Sequence, residues 1–229
     1  EHAAAMVRVL LSAGADANTQ SNRGLTALML AAKHGGEHGV AMMRLLMQHG
    51  GRVAADKQDE DGRTALMYAA RYGDVYGARM MRLLMQHDGH IAANKQSENG
   101  WTALLMTARW GGEHGAEMMR LLLDAGADPN KQSKGGLTAL MFAAGWGGEH
   151  GAGMMKVLVQ HGGHVAANKQ DEDGKTALMW AAQVGEAHAA GMMRLLVDAG
   201  ADANKQTWEG RTALMQAAEH GDEHGLSMM

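Results

Sequence analysis

The sequence contains no cysteine, which excludes disulfide cross-links and thiolate metal sites. No apolar run approaches the ~20 residues that a membrane-spanning helix needs, so we expect no insertion into a membrane. The formal net charge is −4, which gives the chain no general attraction to nucleic acid or anionic lipid. We therefore expect no nucleic-acid partner. The lack of cysteine is compatible with a cytoplasmic, intracellular protein.

Motifs of common catalytic sites are also missing. The chain has no Gly-x-Ser-x-Gly turn, no phosphate-binding Gly-Lys-Ser/Thr loop and no His-Glu-x-x-His segment. Acidic residues such as Asp59, Glu60 and Asp61 cluster in a polar segment, which we interpret as an exposed hairpin tip. We predict that the chain is not an enzyme and needs no cofactor.

Self-similarity is the main feature that the sequence does have. Thr-Ala-Leu recurs at intervals of 38, 38, 36, 38 and 36 residues, its threonines being Thr26, Thr64, Thr102, Thr138, Thr176 and Thr212. Each copy is followed by a small apolar stretch, a glycine-rich stretch, and a segment related to Met-Met-Arg-Leu-Leu. A block this short cannot bury its own apolar face, so neighbouring blocks must stack.

One block, residues 21–58, predicts two helices. The hydroxyl of Thr26 can cap the first helix, and Gly35 and Gly36 tolerate the backbone angles that end it. Leucines and methionines then follow at helical spacing and predict a second helix, with Arg44 pointing outward. Small alanines on the first helices and larger side chains on the second favour a curved stack whose concave side carries the first helices and loops.

The block resembles the repeat of the ankyrin family. Gly-x-Thr-Ala-Leu-Met-x-Ala-Ala is similar to the signature Thr-Pro-Leu-His-x-Ala, and Gly-Ala-Asp-Ala-Asn at 14–18 is similar to the end of an ankyrin unit. The resemblance implies an all-α, ankyrin-type helical repeat solenoid of stacked helix–loop–helix units with hairpin-like loops. We expect one array over residues 1–229, with units 1–20 (partial), 21–58, 59–96, 97–132, 133–170, 171–206 and 207–229 (partial).

The block departs from the family pattern in composition and length. Ala replaces the signature Pro in every copy, and Met or Leu replaces its His. The intervals also exceed the usual period of about 33 residues. We expect the additional residues at 36–39 to lengthen the second helix or the loop that leads into it, and those at 51–55 to enlarge a loop. Both ends fall inside second helices, so we expect further repeats beyond residues 1 and 229.

Three residue types recur at fixed places in the block. The first is a histidine column, His38, His114, His150, His188 and His224. We interpret it as hydrogen bonding between repeats, and the alternative is a metal site that includes His114 and His150. Recurring methionine pairs predict core rather than copper ligands. A glutamine in the same loop of each unit predicts hydrogen bonds to the neighbouring unit.

The nine aromatic residues are distributed unevenly, since we place none on the predicted second helices and assign Tyr76 to the additional residues between the helices. By analogy with the ankyrin pattern, most of them face the concave surface, so we predict a protein-binding site there, centred on units 59–96 to 133–170. The predicted contact residues are Tyr68, Tyr72, Arg71, Trp101, Arg109, Trp110, Phe142, Trp146, Trp180 and Trp208. The competing interpretation is that the helix aromatics only cover neighbouring alanines. An alternative function is self-assembly through uncapped repeat ends.

Overall fold

The computed structural model describes residues 2–50, 53–86, 93–146, 148–184 and 188–225. Within these ranges there are twelve α-helices and three short 3-10 helices, and no β-strand. The α-helices are His2–Ser12 (α1), Ala27–His34 (α2), Gly36–Gln48 (α3), Ala65–Ala70 (α4), Val75–Met85 (α5), Ala103–Trp110 (α6), Gly115–Asp124 (α7), Ala139–Trp146 (α8), Gly148–Gln160 (α9), Ala177–Gln183 (α10), Ala189–Asp198 (α11) and Ala213–Gly225 (α12). The 3-10 helices are Val53–Asp56, Gly112–His114 and Gly163–Asn168. The predicted all-α class is confirmed.

The chain divides into two compact units, Glu1–Asp128 and Pro129–Met229. In the first unit, α2, α4 and α6 pack side by side, and α1, α3, α5 and α7 form a second row. In the second unit, α8, α10 and α12 form one row and α9 and α11 form the other. The first helices from α2 to α10 also pack against the second helix that follows each of them, as in α2 with α3 and α8 with α9. The same helix pair is therefore repeated within both units.

Threonine determines where most first helices begin. The predicted cap is confirmed at Thr26, whose Oγ1 accepts a hydrogen bond from the Met29 amide at 3.2 Å. This bond satisfies one of the amides that a helix leaves unpaired at its first turn. Four further threonines accept the equivalent bond at 3.2–3.3 Å, namely Thr64, Thr102, Thr138 and Thr212.

Methionine supplies much of the core, as predicted. The pairs Met80–Met81, Met118–Met119 and Met154–Met155 are completely buried. Their flexible thioether side chains fill the space beside the small alanines of the first helices. Met193 is half-buried, and the pair at 228–229 lies outside the described residues. None of the helices in the described part of the chain has the length and apolar character needed to cross a bilayer.

The residues added to the family's usual period adopt helical structure at both places. Gly35 has a φ of 65° and ends α2, and Gly36 is already the first residue of α3. The prediction that residues 36–39 lengthen the second helix is therefore confirmed. The prediction that residues 51–55 enlarge a loop is wrong for its described part, because Val53–Asp56 forms a 3-10 helix in which Ala54 is fully buried. The methyl group of Ala54 packs on the core, which favours a compact turn over an open loop.

Candidate functional site

The loops before the first helices are closed and joined by backbone hydrogen bonds. In the repeat 59–96, the Asp59 amide donates to the Arg63 carbonyl at 3.0 Å, which closes a hairpin-like tip. The Glu60 amide donates to the Arg23 carbonyl of the preceding loop at 3.0 Å, and the Glu98 amide donates to the Asp61 carbonyl at 2.8 Å. Side chains on these tips are thus held by ordered backbone.

Glutamine reinforces the same loops. The side-chain amide of Gln20 donates to the Gln58 carbonyl at 3.0 Å, and that of Gln58 donates to the Gln96 carbonyl at 3.1 Å. In the second unit, Gln132 bonds to the Gln170 carbonyl at 3.2 Å. The predicted hydrogen bonds between neighbouring units are therefore confirmed at these positions.

Tyr68 is one of the predicted contact residues, and it lies in the interior of the fold. It is 5% exposed, and its hydroxyl donates to Oδ2 of Asp59 at 2.5 Å. Oδ1 of Asp59 accepts the amides of Asp61 and Arg63 at 3.0 and 2.8 Å. Burial, followed by the bond to Asp59, raises the pKa of the Tyr68 hydroxyl. Asp59 is itself 8% exposed, so its placement on an exposed tip was wrong, because its carboxylate closes the hairpin from within.

The repeat 171–206 contains the same arrangement with a different ring. Oδ2 of Asp171 accepts the indole N–H of Trp180 at 2.9 Å, and Lys175 Nζ lies 5.8 Å from the Trp180 ring centroid. Both repeats begin with Asp and carry a ring with a hydrogen-bond donor nine residues later. The repeat 97–132 begins with Ser97 and has Met106 at that place. A carboxylate at the first position therefore accompanies a donor at the tenth.

Tyr72 connects two repeats of the first unit. Its hydroxyl donates to the carbonyl of Lys33 near the end of α2. A Cβ on Gly35 would lie 2.6 Å from the Tyr72 ring, so the absence of a side chain at Gly35 makes room for the ring. Tyr72 is half-buried and satisfies a carbonyl at a helix C-terminus. This contact gives Tyr72 a role in joining repeats.

Two tryptophans and an arginine form an exposed cluster in the first unit. The rings of Trp101 and Trp110 are stacked with their centroids 5.1 Å apart and their planes inclined by 26°. The guanidinium carbon of Arg71 lies 5.5 Å from the centroid of the Trp110 ring. Trp110 is 37% exposed, Trp101 is half-buried, and Arg71 is exposed. We call Arg71, Trp101 and Trp110 the Trp110 cluster.

Local structure fixes both rings of the Trp110 cluster. Trp101 closes its hairpin, since the Ser97 amide donates to the Trp101 carbonyl at 2.9 Å and the Trp101 amide donates to Ser97 Oγ at 3.1 Å. Trp110 is the last residue of α6. The backbone there packs closely on Gly73, where a Cβ would lie 2.4 Å from the Trp110 carbonyl oxygen. Arg109 is exposed beside the cluster.

The predicted contact residues of the second unit lie at different depths. Phe142 is 7% exposed and belongs to the core, while Trp146, at the end of α8, is 41% exposed. Trp180 is half-buried on Asp171. Trp208 is 69% exposed, although its indole N–H donates to the Glu172 carbonyl at 2.7 Å.

Sequence reasoning missed a groove of about 320 Å³ in the second unit. Its floor includes Gln216, which is 4% exposed. Among the residues that the structure describes, Gln216 Oε1 has no hydrogen-bond partner. The sequence signal that could have found it is the position of Gln216 nine residues after Thr207, the place that Tyr68 and Trp180 occupy in their repeats. The residues lining the groove are Asp173, Lys175, Gln183, Thr207, Trp208, Glu209, Arg211 and Gln216.

His114, one member of the histidine column, contacts carboxylates of its own repeat and not the neighbouring repeat as predicted. Nε2 of His114 lies 3.3 Å from Glu113 Oε1, and its Nδ1 lies 3.4 Å from Glu117 Oε2, so both contacts stay within one repeat. Glu117 in turn pairs with Arg82 of the preceding repeat. In the described ranges, no group of three or more His, Cys, Asp or Glu side chains could hold a metal ion. His150 is exposed, and the side chain of His224 lies outside the described residues.

Comparison with known proteins gives one consistent result. The family model described as ankyrin repeats (3 copies) matches residues 1–89, 76–166, 105–192 and 149–228. No curated protein matches the chain. The crystal structure of the ankyrin repeat domain of Bcl-3, described as a unique member of the IkappaB protein family, is similar with a TM-score of 0.69 and 26% sequence identity. The match covers 93% of this chain and 87% of that one.

Proposed function

The chain belongs to the ankyrin repeat family, and from this premise we propose that it is a protein-interaction module whose partner contacts the Trp110 cluster. Ankyrin repeat domains generally mediate protein–protein interactions. Family membership alone says nothing about where a partner binds, so the location must come from the surface itself.

The observation that carries the proposal is the exposure of Trp110 between a stacked ring and a guanidinium group. A Trp ring that is 37% exposed presents a large apolar area to solvent. Trp, Tyr and Arg are enriched among the residues that dominate binding energy at protein interfaces. The stacking on Trp101 and the contact with Arg71 restrict the ring before a partner arrives. Such restriction lowers the entropic cost of binding.

The charges around the Trp110 cluster favour a polypeptide partner. Arg71 and Arg109 are exposed cations on the first-helix side, and the neighbouring loops carry exposed carboxylates, including Glu98. Protein interfaces combine an apolar centre with a polar rim of both signs. Nucleic acid needs a consistently basic surface, because most of its affinity comes from phosphate contacts. We therefore propose no nucleic-acid partner.

The other predicted contact residues take different parts in this proposal. Tyr68 and Phe142 are buried, so we assign them to the support of the surface rather than to direct contact. In the second unit, Trp146 and Trp208 are the exposed rings, and we propose each as a contact in its own right. The proposal includes no catalytic activity, since the Trp110 cluster contains neither a nucleophile nor a carboxylate.

A second candidate function is self-association through the outermost repeats. Met6 and Leu10 on α1 are 61% and 60% exposed, whereas Met42 and Leu46, at the equivalent places on α3, are 9% and 3% exposed. Leu214 on α12 is 78% exposed, compared with 0% for the equivalent Leu28 on α2. Faces that pack on a neighbouring repeat elsewhere are exposed on α1 and α12, and we propose them as the surfaces that a second copy would contact. Light scattering over a concentration series tests this function. An increase in molecular mass with concentration, in the absence of a partner, would support it.

Site-specific photo-crosslinking tests the primary proposal. A photoreactive amino acid replaces Arg109 beside the Trp110 cluster or, as the control, the exposed Arg120 on α7. Cross-linked proteins are identified by mass spectrometry and then purified for binding measurements. We expect the same protein to be captured from position 109 and lost in the Trp110→Ala background. Capture from position 120 that is insensitive to Trp110→Ala would overturn the proposal.

A further inference from the structure

The groove beneath Trp208 is the feature that neither the fold nor the Trp110 cluster explains. We propose that it binds an extended polypeptide segment, which donates a backbone N–H to Gln216 and places an apolar side chain against Trp208. This inference deepens the proposed protein-binding function and rests on it. The volume of the groove, about 320 Å³, lies at the lower end of the range for ligand sites, roughly 300–1,000 Å³. A groove of this size suits a short segment.

Gln216 supplies the strongest reason for a ligand. Its side chain is 4% exposed and lines the groove, and Oε1 has no partner among the described residues. A buried acceptor without a donor destabilises a folded protein, and native structures contain few of them. At the same place in their repeats, Tyr68 and Trp180 are satisfied by Asp59 and Asp171. Gln216 differs in leaving an acceptor to be satisfied from the groove.

Trp208 is exposed but fixed in place. Its backbone amide donates to the Asp173 carbonyl at 3.2 Å, and its indole N–H donates to the Glu172 carbonyl at 2.7 Å. A Cβ on Gly174 would lie 2.9 Å from Cδ2 of the ring, so the ring packs directly on the glycine backbone. The indole is therefore a rigid apolar wall that is 69% exposed. A ring of this kind offers contact area at low entropic cost.

The charges of the groove favour a neutral peptide backbone over a polyanion. Two carboxylates, Asp173 and Glu209, line it together with two cations, Lys175 and Arg211. The cations already have partners, because Arg211 pairs with Glu219 and Lys175 lies 5.8 Å from the Trp180 ring centroid. Two groups of the groove therefore remain for a ligand, the side-chain carbonyl of Gln216, which has no donor among the described residues, and the exposed ring of Trp208. Peptide N–H groups and side chains match both.

Peptide selection on the intact chain tests this inference. Peptides are selected from a random dodecapeptide phage library, with counter-selection on the Gln216→Leu/Trp208→Ala double variant, and are then synthesised. Calorimetry measures their affinities for the wild type, each single variant and the matched control Gln48→Leu, an exposed glutamine on α3. We expect Gln216→Leu to weaken binding about three- to tenfold. Trp208→Ala should weaken it at least ~30-fold, and Gln48→Leu should leave it unchanged.

The thermal stability of Gln216→Leu separates binding from a structural role. Since leucine removes an unpaired buried carbonyl, the melting temperature should stay the same or rise. A fall in melting temperature with unchanged peptide affinity would show that the amide is structural and would overturn the inference. The inference would also be overturned if no peptide enriched, or if an oligothymidylate probe bound at the groove more tightly than the peptides. Loss of peptide affinity in Trp110→Ala but not in Trp208→Ala would support the proposed function and contradict the groove.

Discussion

Two neighbouring repeats of the first unit use their aromatic residues for different purposes. In the repeat 59–96, Tyr68 is buried on Asp59 and Tyr72 reaches the end of α2. In the repeat 97–132, Trp101 and Trp110 stack on each other with Trp110 open to solvent. The comparison shows that a ring on a first helix is buried where its polar group bonds to another segment of the repeat, as in Tyr68, whereas the ring of Trp110 stays exposed.

The difference follows from the first residue of each repeat. Oδ1 of Asp59 accepts a backbone amide of its own hairpin, which leaves Oδ2 as a second acceptor. The hydroxyl of Tyr68, nine residues later, donates to Oδ2 and is buried there. The side chain of Ser97 has only one oxygen, Oγ, and this accepts the hydrogen bond from the Trp101 amide. Met106 therefore occupies the place of Tyr68 without a polar partner, and it is 5% exposed.

The largest expected effect concerns the core beneath both repeats. Met119→Asp places a carboxylate where the side chain is completely buried, and we expect a loss of about 3–5 kcal/mol in the free energy of unfolding. Leu121→Asp, on the same helix but half-buried, should cost less. Urea denaturation followed by circular dichroism measures both. Equal losses, or an unchanged Met119→Asp, would show that the apolar face of α7 is wrongly placed.

Tyr68→Phe tests the buried half of the comparison. Removal of the hydroxyl leaves Asp59 Oδ2 without its donor, and we expect a loss of about 1–3 kcal/mol in unfolding free energy. The double variant Asp59→Ser/Tyr68→Met copies the pair found at 97 and 106 and should recover part of that loss. A double-mutant cycle with no coupling between positions 59 and 68 would contradict the role assigned to this pair.

The same pair predicts a dependence of stability on pH. Burial and the bond to Asp59 raise the pKa of Tyr68 above its ordinary value of 10.0. The folded state thus favours the protonated phenol. Its contribution is fully present below pH 10 and is lost as the pH rises through the raised pKa. Above about pH 10, stability should fall more steeply in the wild type than in Tyr68→Phe, as thermal melts at several pH values will show. Parallel curves would exclude the contribution.

The smallest effect is expected on the exposed side of the comparison. Trp110→Phe keeps an aromatic ring at a site that is already open to solvent, so the free energy of unfolding should change by less than about 0.5 kcal/mol. Thermal melts of this variant beside those of Tyr68→Phe provide the contrast. A loss in Trp110→Phe as large as that in Tyr68→Phe would mean that both repeats use their aromatics structurally.

Much of the fold could be predicted from sequence because its signals are local and repeated. Thr26 caps a helix by accepting a hydrogen bond from the amide three residues later in the chain. The side-chain amide of Gln20 donates to the carbonyl at the same loop position of the next repeat. The turn at Val53–Asp56 was missed because alanines are compatible with both a loop and a helix, and the choice depends on the core that receives Ala54.

The candidate site was less accessible to sequence reasoning. Aromatic composition identified Trp110 and Tyr68 alike, yet their depths differ because Asp59 binds Tyr68 from another segment of the repeat. The position of Gln216 nine residues after Thr207 was its only sequence signal, and that signal does not show burial, since an amide on a helix normally faces solvent. Its significance comes from burial and from the lack of a donor among the described residues, and both are properties of the assembled repeats.

The most direct test of the account is the affinity of the purified partner for four variants. Trp110→Ala and, separately, Trp146→Ala remove exposed rings, and Arg44→Glu and Arg120→Glu reverse exposed charges on second helices. Measured by calorimetry, Trp110→Ala should cost at least ~2 kcal/mol of binding free energy, whereas the charge reversals should cost little. If the charge reversals abolish binding and Trp110→Ala does not, the partner uses the second-helix side and the assignment of the Trp110 cluster is wrong.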